Sequence, residues 1–261
     1  MSGKMHVEEH DGVVHVINDH PGTRNSLSYE FITGFRDLLE SYKEGNVPGA
    51  VVLSGADGFF CSGGNLSGLK ERSEGDYEKR RSNVDRLHAM VRAIRACPCP
   101  VIAAVEGGAA GAGAALALSC DLVYGAEDAY FSVAYVRIGI TPDGGTTHFM
   151  NEAIPRWLLA ELAFTGDKVP LSRLYQLGAV NAITPKGDAV STALQMAKRL
   201  AEGPRGAIAQ TKKLISSGRQ ASLDEQLDDE AHQVAEALGS PDGKEGILAF
   251  LEKRKAIFNQ G

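Results

Sequence analysis

The chain has 261 residues, 43% of them hydrophobic and 23% charged, and its formal net charge is −6. That length is enough for one substantial hydrophobic core, and a mildly acidic chain is a poor match to nucleic acid or anionic lipid, so we expect neither as a partner. Because the sequence holds neither an apolar run of about 18 residues nor an N-terminal apolar signal core, we expect no membrane span and a cytoplasmic location.

In chain order, the hydrophobic pattern first predicts strands that alternate with helices. The predicted strands are the β-rich runs 12–19, 50–55 and 100–105. A helix follows the first strand, because Phe31, Phe35 and Leu39 fall on one apolar face. Either Ser26 or Ser28 is placed to cap that helix.

A second helix precedes the third strand, with Leu87 and Val91 on its apolar stripe, and two short strands follow at 121–125 and 129–133. After about Pro155 the pattern is almost entirely helical. Strands that alternate with helices, followed by helices alone, predict an α/β core. We place this core at residues 1–200 and a C-terminal helical region at residues 201–261.

The four cysteines are Cys61, Cys97, Cys99 and Cys120, and only Cys97 and Cys99 are close in sequence. Cys-Pro-Cys is not metal-binding spacing, so we interpret all four as reduced thiols. Cys61 is a candidate nucleophile, but no matching histidine is evident, so packing is favoured. Four histidines fall within the first twenty residues, and we interpret them as solvated residues of a hairpin rather than as metal ligands.

Small side chains dominate the stretch AAVEGGAAGAGAALALSCD, from Ala103 to Asp121. It predicts a strand, a glycine-rich turn and a helix, whose first turn leaves unpaired N–H groups that small residues expose to a ligand. Such a site suits an anion, or a carbonyl oxygen that becomes negative during a reaction. Close helix packing explains the same pattern, whereas the dinucleotide motif G-x-G-x-x-G fails because Leu116 stands at its last glycine.

A second glycine-rich stretch, GADGFFCSGGNLSGL at 55–69, also follows a predicted strand. Together the two stretches resemble the crotonase, or enoyl-CoA hydratase/isomerase, superfamily. GFFCSGGNL resembles its first oxyanion loop, residues 99–146 its central signature, PGTRNSLS its early turn that contacts coenzyme A, and EGILAFLEKRKAIF its C-terminal helix. The resemblance covers essentially the whole chain.

This resemblance implies an α/β fold of the crotonase type, a spiral of ββα turns with a C-terminal helical trimerisation region. It also implies an acyl-CoA thioester as substrate, with coenzyme A entering only as part of that substrate and no permanently bound cofactor or metal. Self-association as a homotrimer or a dimer of trimers is implied in the same way.

The resemblance assigns roles to individual residues. The N–H groups of Ser62 and Ala112 would bind the thioester oxygen. The other residues implied to contact coenzyme A in the turn and the loop are Arg24, Ser26, Gly64, Asn65 and Leu66, with Ser62 among them. Lys255 and Phe258 of the C-terminal helix would reach the coenzyme A of a neighbouring subunit.

The hydratases of this superfamily use two glutamates, whose positions fall here on Ala115 and Tyr135. Neither is a carboxylate, and a phenol with a pKa of about 10 is a poor base at neutral pH, so the pattern disfavours hydration of a 2-enoyl-CoA. Asp143, in GITPDGG, is the matched acidic candidate. The Pro-Asp-Gly-Gly sequence is also good turn chemistry by itself.

We therefore predict an isomerase in which Asp143 moves a proton from C2 to C4 of a 3-enoyl-CoA. One alternative is hydration or hydrolysis with Asp143 as base or nucleophile, as in the superfamily's 4-chlorobenzoyl-CoA dehalogenase. There His88 would be the general base, although a lone histidine on an amphipathic helix is more often a packed or surface residue, and Tyr135 replaces a tryptophan. A second alternative is a non-catalytic binding protein of the crotonase fold.

Overall fold

The structure, a computed structural model, describes residues 3–43 and 46–260. Its strands are β1 (Lys4–His10), β2 (Val13–Asp19), β3 (Ala50–Gly55), β4 (Val101–Val105), β5 (Gly108–Ala110), β6 (Leu122–Ala126), β7 (Tyr130–Ser132), β8 (Lys168–Pro170) and β9 (Ala182–Thr184). Its helices are α1 (Tyr29–Ser41), α2 (Leu66–Ser73), α3 (Tyr77–Ala96), α4 (Ala112–Ser119), α5 (Thr146–Ala153), α6 (Arg156–Thr165), α7 (Leu171–Gln176), α8 (Ala189–Ala201), α9 (Arg205–Ser217), α10 (Leu223–Gly239) and α11 (Pro241–Leu251). A 3₁₀ helix spans Ala134–Ile138.

Two sheets organise the chain. The larger has the strand order β1-β2-β3-β4-β6-β9, and the smaller has the order β5-β7-β8. In the larger sheet β1 pairs antiparallel with β2, and every other pair is parallel. All five residues of β4 are buried, as is typical of a parallel strand covered on both faces. The five strands predicted from the sequence are confirmed.

The N-terminal hairpin corrects one prediction. β1 and β2 form the expected antiparallel pair, but His15 and His20 are only 8% and 7% exposed. His15 Nε2 lies 2.8 Å from Ser54 Oγ, and His20 Nδ1 lies 2.9 Å from the Ser26 carbonyl oxygen. These two histidines are therefore buried hydrogen-bonding residues rather than solvated ones, because the hairpin's inner face is covered.

The cap of α1 shows which serine begins that helix. Ser28 Oγ accepts a hydrogen bond from the Phe31 N–H at 3.1 Å, so Ser28 is the N-cap. Phe31, Phe35 and Leu39 are fully buried, which confirms the predicted apolar face. A capped amphipathic helix thus covers one side of the sheet and joins the hydrophobic core.

All four cysteines are free and buried. Cys97 Sγ and Cys99 Sγ lie 3.5 Å apart. Burial raises the pKa of the Cys61 thiol to about 12, so this side chain stays protonated and packs in the core. This favours packing over nucleophilic chemistry for Cys61.

The parallel pairing of β3 with β4 positions the site. Val51 stands opposite Val101, so the two strands run side by side and end at the same edge of the sheet. The glycine-rich segments that follow them therefore leave the sheet together. The two stretches that the sequence singled out are neighbours in space.

Candidate functional site

The segments after β3 and β4 are joined by backbone hydrogen bonds. The Ala110 N–H donates to the Cys61 carbonyl at 3.0 Å, and the Cys61 N–H donates to the Gly108 carbonyl at 3.3 Å. A side chain at position 113 would meet the Cys61 carbonyl oxygen, so glycine is what lets the segments approach. The two candidate amide-donating segments are thus held in one place.

Ala112 is the first residue of α4, as predicted from the glycine-rich turn. Gly111 precedes it with φ of 51° and supplies no side-chain cap. Across the described parts of the chain, no acceptor faces the Ala112 N–H, as expected for the first turn of a helix. The free N–H and the helix dipole both favour a negative oxygen at this point.

Ser62 does not supply the second free amide, which corrects the prediction. Its N–H donates to the Arg24 carbonyl at 2.9 Å, and its hydroxyl donates to the Thr23 carbonyl at 2.6 Å. Both donors of Ser62 are therefore already used to hold the loop. A donor that is occupied by the protein's own carbonyl has no hydrogen to offer a ligand.

Gly64 takes the place expected for Ser62. The Gly63 carbonyl accepts the Leu27 N–H at 2.8 Å, whereas the Gly64 N–H meets no acceptor in residues 3–43 and 46–260. A Cβ atom built on Gly63 would lie 3.2 Å from the Ala112 nitrogen, so the loop lies against the start of α4. Gly64 and Ala112 are the two candidate free amides.

The other residues predicted to contact coenzyme A near the loop differ in how exposed they are. Arg24 is exposed, with its guanidinium 5.5 Å from the Phe59 ring centroid, and Leu66 is 66% exposed at the start of α2. Asn65 caps α2 by accepting the Ser67 N–H at 2.9 Å. Ser26 is only 2% exposed, so it offers coenzyme A little surface, and its predicted contact stays a prediction.

Lys255 and Phe258 lie among the C-terminal helices rather than at the loop. Lys255 Nζ is 3.5 Å from the Glu202 carboxylate. Phe258 packs beside Gly246 and lines a cavity of about 890 Å³ between α9, α10 and α11. Their predicted contact with the coenzyme A of a neighbouring subunit stays a prediction.

A hydrogen-bonded group surrounds Asp143. The Tyr135 hydroxyl donates to Asp143 Oδ1 at 2.8 Å and lies 3.1 Å from Thr146 Oγ1. Thr146 donates to the Asp143 carbonyl at 2.8 Å. Asp143 Oδ2 receives no hydrogen bond from the residues that the structure describes. One oxygen of the carboxyl group is thus fixed, and the other has no hydrogen bond within the described part of the chain.

The surroundings shift both ionisable groups. Burial raises the pKa of Asp143, while the Tyr135 hydrogen bond and the charges of His88 and Arg72 oppose this rise. Burial, and then the negative charge of Asp143, raise the pKa of Tyr135. Tyr135 therefore stays a phenol and donates its hydrogen bond to the Asp143 carboxylate, so Asp143 is the member of the pair that is able to accept a proton near neutral pH.

His88 contacts the same segment from α3. Its Nε2 accepts the Gly144 N–H at 3.2 Å, so the lone pair that a general base needs is engaged by the backbone. This geometry supports His88 as a residue that holds the Asp143 segment. It argues against the alternative in which His88 is a base.

The two halves of the site border one another. A Cβ atom on Gly144 would lie 2.8 Å from Ala115 Cβ, so the Asp143 segment passes directly over α4. A Cβ atom on Gly111 would lie 3.8 Å from Tyr135 Cζ, which places the tyrosine ring beside the start of that helix. Ala115 is fully buried, so this position presents only a methyl group to the Asp143 segment.

Sequence reasoning missed Thr146 as part of the site, and it assigned Gly64 a contact with coenzyme A but not the role of the free amide. The signal for Thr146 is its place three residues after Asp143, where a hydroxyl returns to the carbonyl of a turn. No sequence signal distinguishes Gly64 from Ser62 as the free amide, because the difference depends on the Arg24 carbonyl.

The mixed α/β fold, with two free backbone amides and the Asp143 segment beside α4, agrees with the crotonase class that the sequence resembles. A family model described as enoyl-CoA hydratase/isomerase matches residues 8–261. The chain belongs to the enoyl-CoA hydratase/isomerase family. The α/β crotonase-type fold is thereby confirmed, and acyl-CoA thioesters are the substrates that the family implies.

Individual relatives include both hydratases and isomerases. An enoyl-CoA hydratase from Polaromonas sp. JS666 has a crystal structure that matches with a TM-score of 0.94 and 35% identity, covering 98% of this chain and 99% of that chain. The 1,2-epoxyphenylacetyl-CoA isomerase of Escherichia coli K12 is 32% identical, covering 97% of this chain and 96% of that protein. The probable mitochondrial enoyl-CoA hydratase 2 of Arabidopsis thaliana is 32% identical over 95% of this chain and 81% of its own length.

Among the helices within residues 3–43 and 46–260, not one combines the length and the apolar character that a membrane span requires.

Proposed function

We propose that the chain is an enoyl-CoA isomerase that converts a 3-enoyl-CoA into a 2-enoyl-CoA, with Asp143 carrying the proton. The observation that carries this proposal is the Asp143 carboxyl group, whose pKa is raised by burial. Its segment borders α4, the helix that begins at the free Ala112 amide and carries only a methyl group at position 115. A single acid–base group fits a reaction that removes and returns one proton.

The amides supply the electrostatic part of the reaction. The N–H groups of Gly64 and Ala112 donate to the thioester oxygen, and the partial positive charge at the start of α4 adds to their effect. Negative charge grows on that oxygen when the C2 proton leaves, so these donors are stronger in the transition state than with bound substrate. Each such donor contributes about 3 kcal/mol of transition-state stabilisation.

Asp143 moves the proton. Oδ2 takes the proton from C2, and the electron pair of the broken C–H bond passes into the thioester as a dienolate. The carboxylic acid then delivers the proton to C4, the double bond forms between C2 and C3, and the carboxylate is restored. Tyr135 holds Oδ1 throughout, so the group stays in place between the two transfers. The raised pKa of Asp143 makes it a stronger base than an exposed aspartate.

Hydration is the second candidate, because the relatives carry hydratase names as well as isomerase names. It requires one group to activate water and another to deliver a proton to C2. Position 115, which faces the Asp143 segment, is a buried alanine and transfers no proton. This observation favours isomerisation over hydration.

The proposal is tested with a panel of 3-enoyl-, 2-enoyl- and aryl-CoA esters. We expect the wild type to convert 3-enoyl-CoA fastest, and Asp143→Asn to lower kcat by about 100- to 10,000-fold, the usual contribution of a general base. Asp37→Asn, an exposed aspartate on α1, is the matched control and should leave kcat unchanged. Faster addition of water to 2-enoyl-CoA than isomerisation of 3-enoyl-CoA would contradict the proposed isomerase reaction. Full activity of Asp143→Asn would contradict the assignment of Asp143 as the base.

We also propose that residues 201–261 form a self-association region that assembles a homotrimer or a dimer of trimers. Large apolar side chains stand exposed there in the isolated chain, including Leu223 at 73%, Phe250 at 83% and Leu251 at 72%. Exposed apolar surface of this kind is typical of an interface. Light scattering should give the mass of three or six chains, and the mass of one chain would contradict the proposal.

A further inference from the structure

The segment that presents Gly64 is held by a neighbouring turn. We call residues 56–64 the amide loop and residues 23–27 the Asn25 turn. The Asn25 turn joins α1 to the hairpin and faces the amide loop along its length. Four groups of the turn, namely the Thr23 and Arg24 carbonyls, the Leu27 N–H and the Asn25 side chain, form hydrogen bonds to the loop.

Asn25 is at the centre of these contacts. Its side-chain Nδ2 donates to the Ala56 carbonyl at 2.7 Å and to the Phe59 carbonyl at 2.6 Å. Its Oδ1 accepts the His20 N–H at 3.0 Å, and the residue is only 4% exposed. Both amide hydrogens therefore go to the amide loop, while the oxygen fixes the side chain to the backbone of His20, just after β2.

The backbone of the Asn25 turn holds the other end of the amide loop. Arg24 and Thr23 accept both hydrogen bonds of Ser62, and the Leu27 N–H holds the Gly63 carbonyl. Asn25 itself has φ of 55°, a left-handed conformation that asparagine tolerates better than most residues. The side chain thus holds the start of the loop, and the adjacent backbone holds the residues just before Gly64.

We propose that Asn25 is a positioning residue that sets the direction of the Gly64 N–H toward the thioester oxygen. This inference rests on the proposed function. Asn25 does not touch the substrate, since it lies buried behind the loop. Removing its two donor bonds lets the loop shift, and a displacement of about 1 Å at a reacting group lowers the rate by about 100-fold. The loss falls on kcat, because the amide acts mainly on the charge that develops in the transition state.

The test compares three variants with the wild type. Asn25→Gly removes the side chain but keeps the left-handed backbone free of strain. Asn25→Asp keeps the side-chain shape and the acceptor for the His20 N–H but loses both donors, and it carries the test if Asn25→Gly does not fold. Asn181→Ala is the matched control, because it loses a 2.7 Å hydrogen bond to the Val123 N–H, on β6.

Two measurements separate positioning from general destabilisation. The first is kcat and KM for 3-enoyl-CoA. The second is the infrared stretching frequency of the carbonyl in a bound, unreactive thioester labelled with ¹³C at that carbon. For Asn25→Gly we expect kcat to fall about 10- to 100-fold, with KM changed less than threefold. We expect the carbonyl frequency of the bound thioester to return toward its value in water. Asn181→Ala should keep the wild-type kcat and frequency even if its Tm falls equally.

Wild-type kcat and carbonyl frequency in Asn25→Gly or Asn25→Asp would overturn the inference. A rise in KM with an unchanged frequency would overturn it as well. A separate outcome would contradict the proposed function itself. If the wild type does not isomerise 3-enoyl-CoA and leaves the carbonyl frequency at its value in water, both the proposed function and the inference that rests on it are wrong.

Discussion

Two walls of the site achieve rigidity in different ways. The amide wall, Gly64 and Ala112, is built from backbone N–H groups whose direction depends on glycine-rich segments and on the Asn25 turn. The carboxyl wall, Asp143 with Tyr135 and Thr146, is built from side chains that hold one another by hydrogen bonds. Both walls border α4, one at its first residue and the other over Ala115.

The difference predicts how each wall responds to substitution. The amide wall should tolerate a change of side chain as long as the N–H keeps its direction, because no side-chain atom takes part. The carboxyl wall should respond to the loss of single polar atoms.

Among the variants that compare the two walls, the largest effect is expected for Ala112→Pro, which removes one N–H of the amide wall. Proline is tolerated at the first position of a helix, so α4 should still form. We expect kcat to fall about 100- to 1,000-fold, the usual loss for one oxyanion donor. Ala112→Ser keeps the N–H and should stay close to wild type in the same steady-state assay. Equal activity of the proline and serine variants would show that this amide plays no part.

The next effect is expected for Gly144→Ala, which disturbs the carboxyl wall through its backbone. Gly144 has φ of 63°, and an added Cβ would lie 2.8 Å from Ala115 Cβ. We expect a loss of about 1–3 kcal/mol in the free energy of unfolding, measured by urea denaturation, and about 10-fold or more in kcat. Gly139→Ala is the control, because its φ of 72° brings the same strain with no atom within 4 Å. Equal losses in the two variants would mean that the contact with Ala115 has no effect.

A smaller effect is expected for Tyr135→Phe. The Tyr135 hydroxyl favours the carboxylate form of Asp143, so its removal raises the pKa of Asp143 further. Because the base must be deprotonated, activity is lost as pH falls through that pKa. The acid limb of the kcat/KM profile should therefore move to higher pH by about one unit, the size of one hydrogen bond to a charged group. Tyr175→Phe, at a half-exposed tyrosine, should leave the limb in place, and a shift of the Tyr135→Phe limb to lower pH would contradict the assignment.

The smallest effect is expected for His88→Gln, because the glutamine oxygen retains an acceptor for the Gly144 N–H. If His88 only holds the segment, kcat should change by about threefold or less, the size of a neutral hydrogen bond. A loss of about 100-fold or more would instead support the alternative in which His88 is a general base.

Much of the fold was predictable because its signals are local. The order of their own residues is enough to recognise the buried apolar runs of β3 and β4 and the apolar face of α1. The resemblance assigned Ala112 its role, and local pattern agrees with it, since a helix that begins after glycines leaves its first N–H free. Asp143 was identified through the resemblance, because local pattern alone favours a residue of a Pro-Asp-Gly-Gly turn at this position.

The errors concern contacts that the order of neighbouring residues does not reveal. Ser62 was expected to offer its N–H, but the Arg24 carbonyl, 38 positions earlier in the sequence, already accepts it. Ser26 and His20 were expected to be accessible, but they hydrogen-bond to each other in the interior. Periodicity gives no information on such pairs, because they are set by how the turn, the hairpin and the amide loop meet.

The most direct test is a crystal structure of the protein with an unreactive acyl-CoA thioester. The carbonyl oxygen should lie about 2.7–3.1 Å from the amide nitrogens of both Gly64 and Ala112, the distance at which an oxyanion donor acts, with Asp143 Oδ2 facing C2. An oxygen held by any other pair of groups, with these two amides turned away from it, would contradict the account.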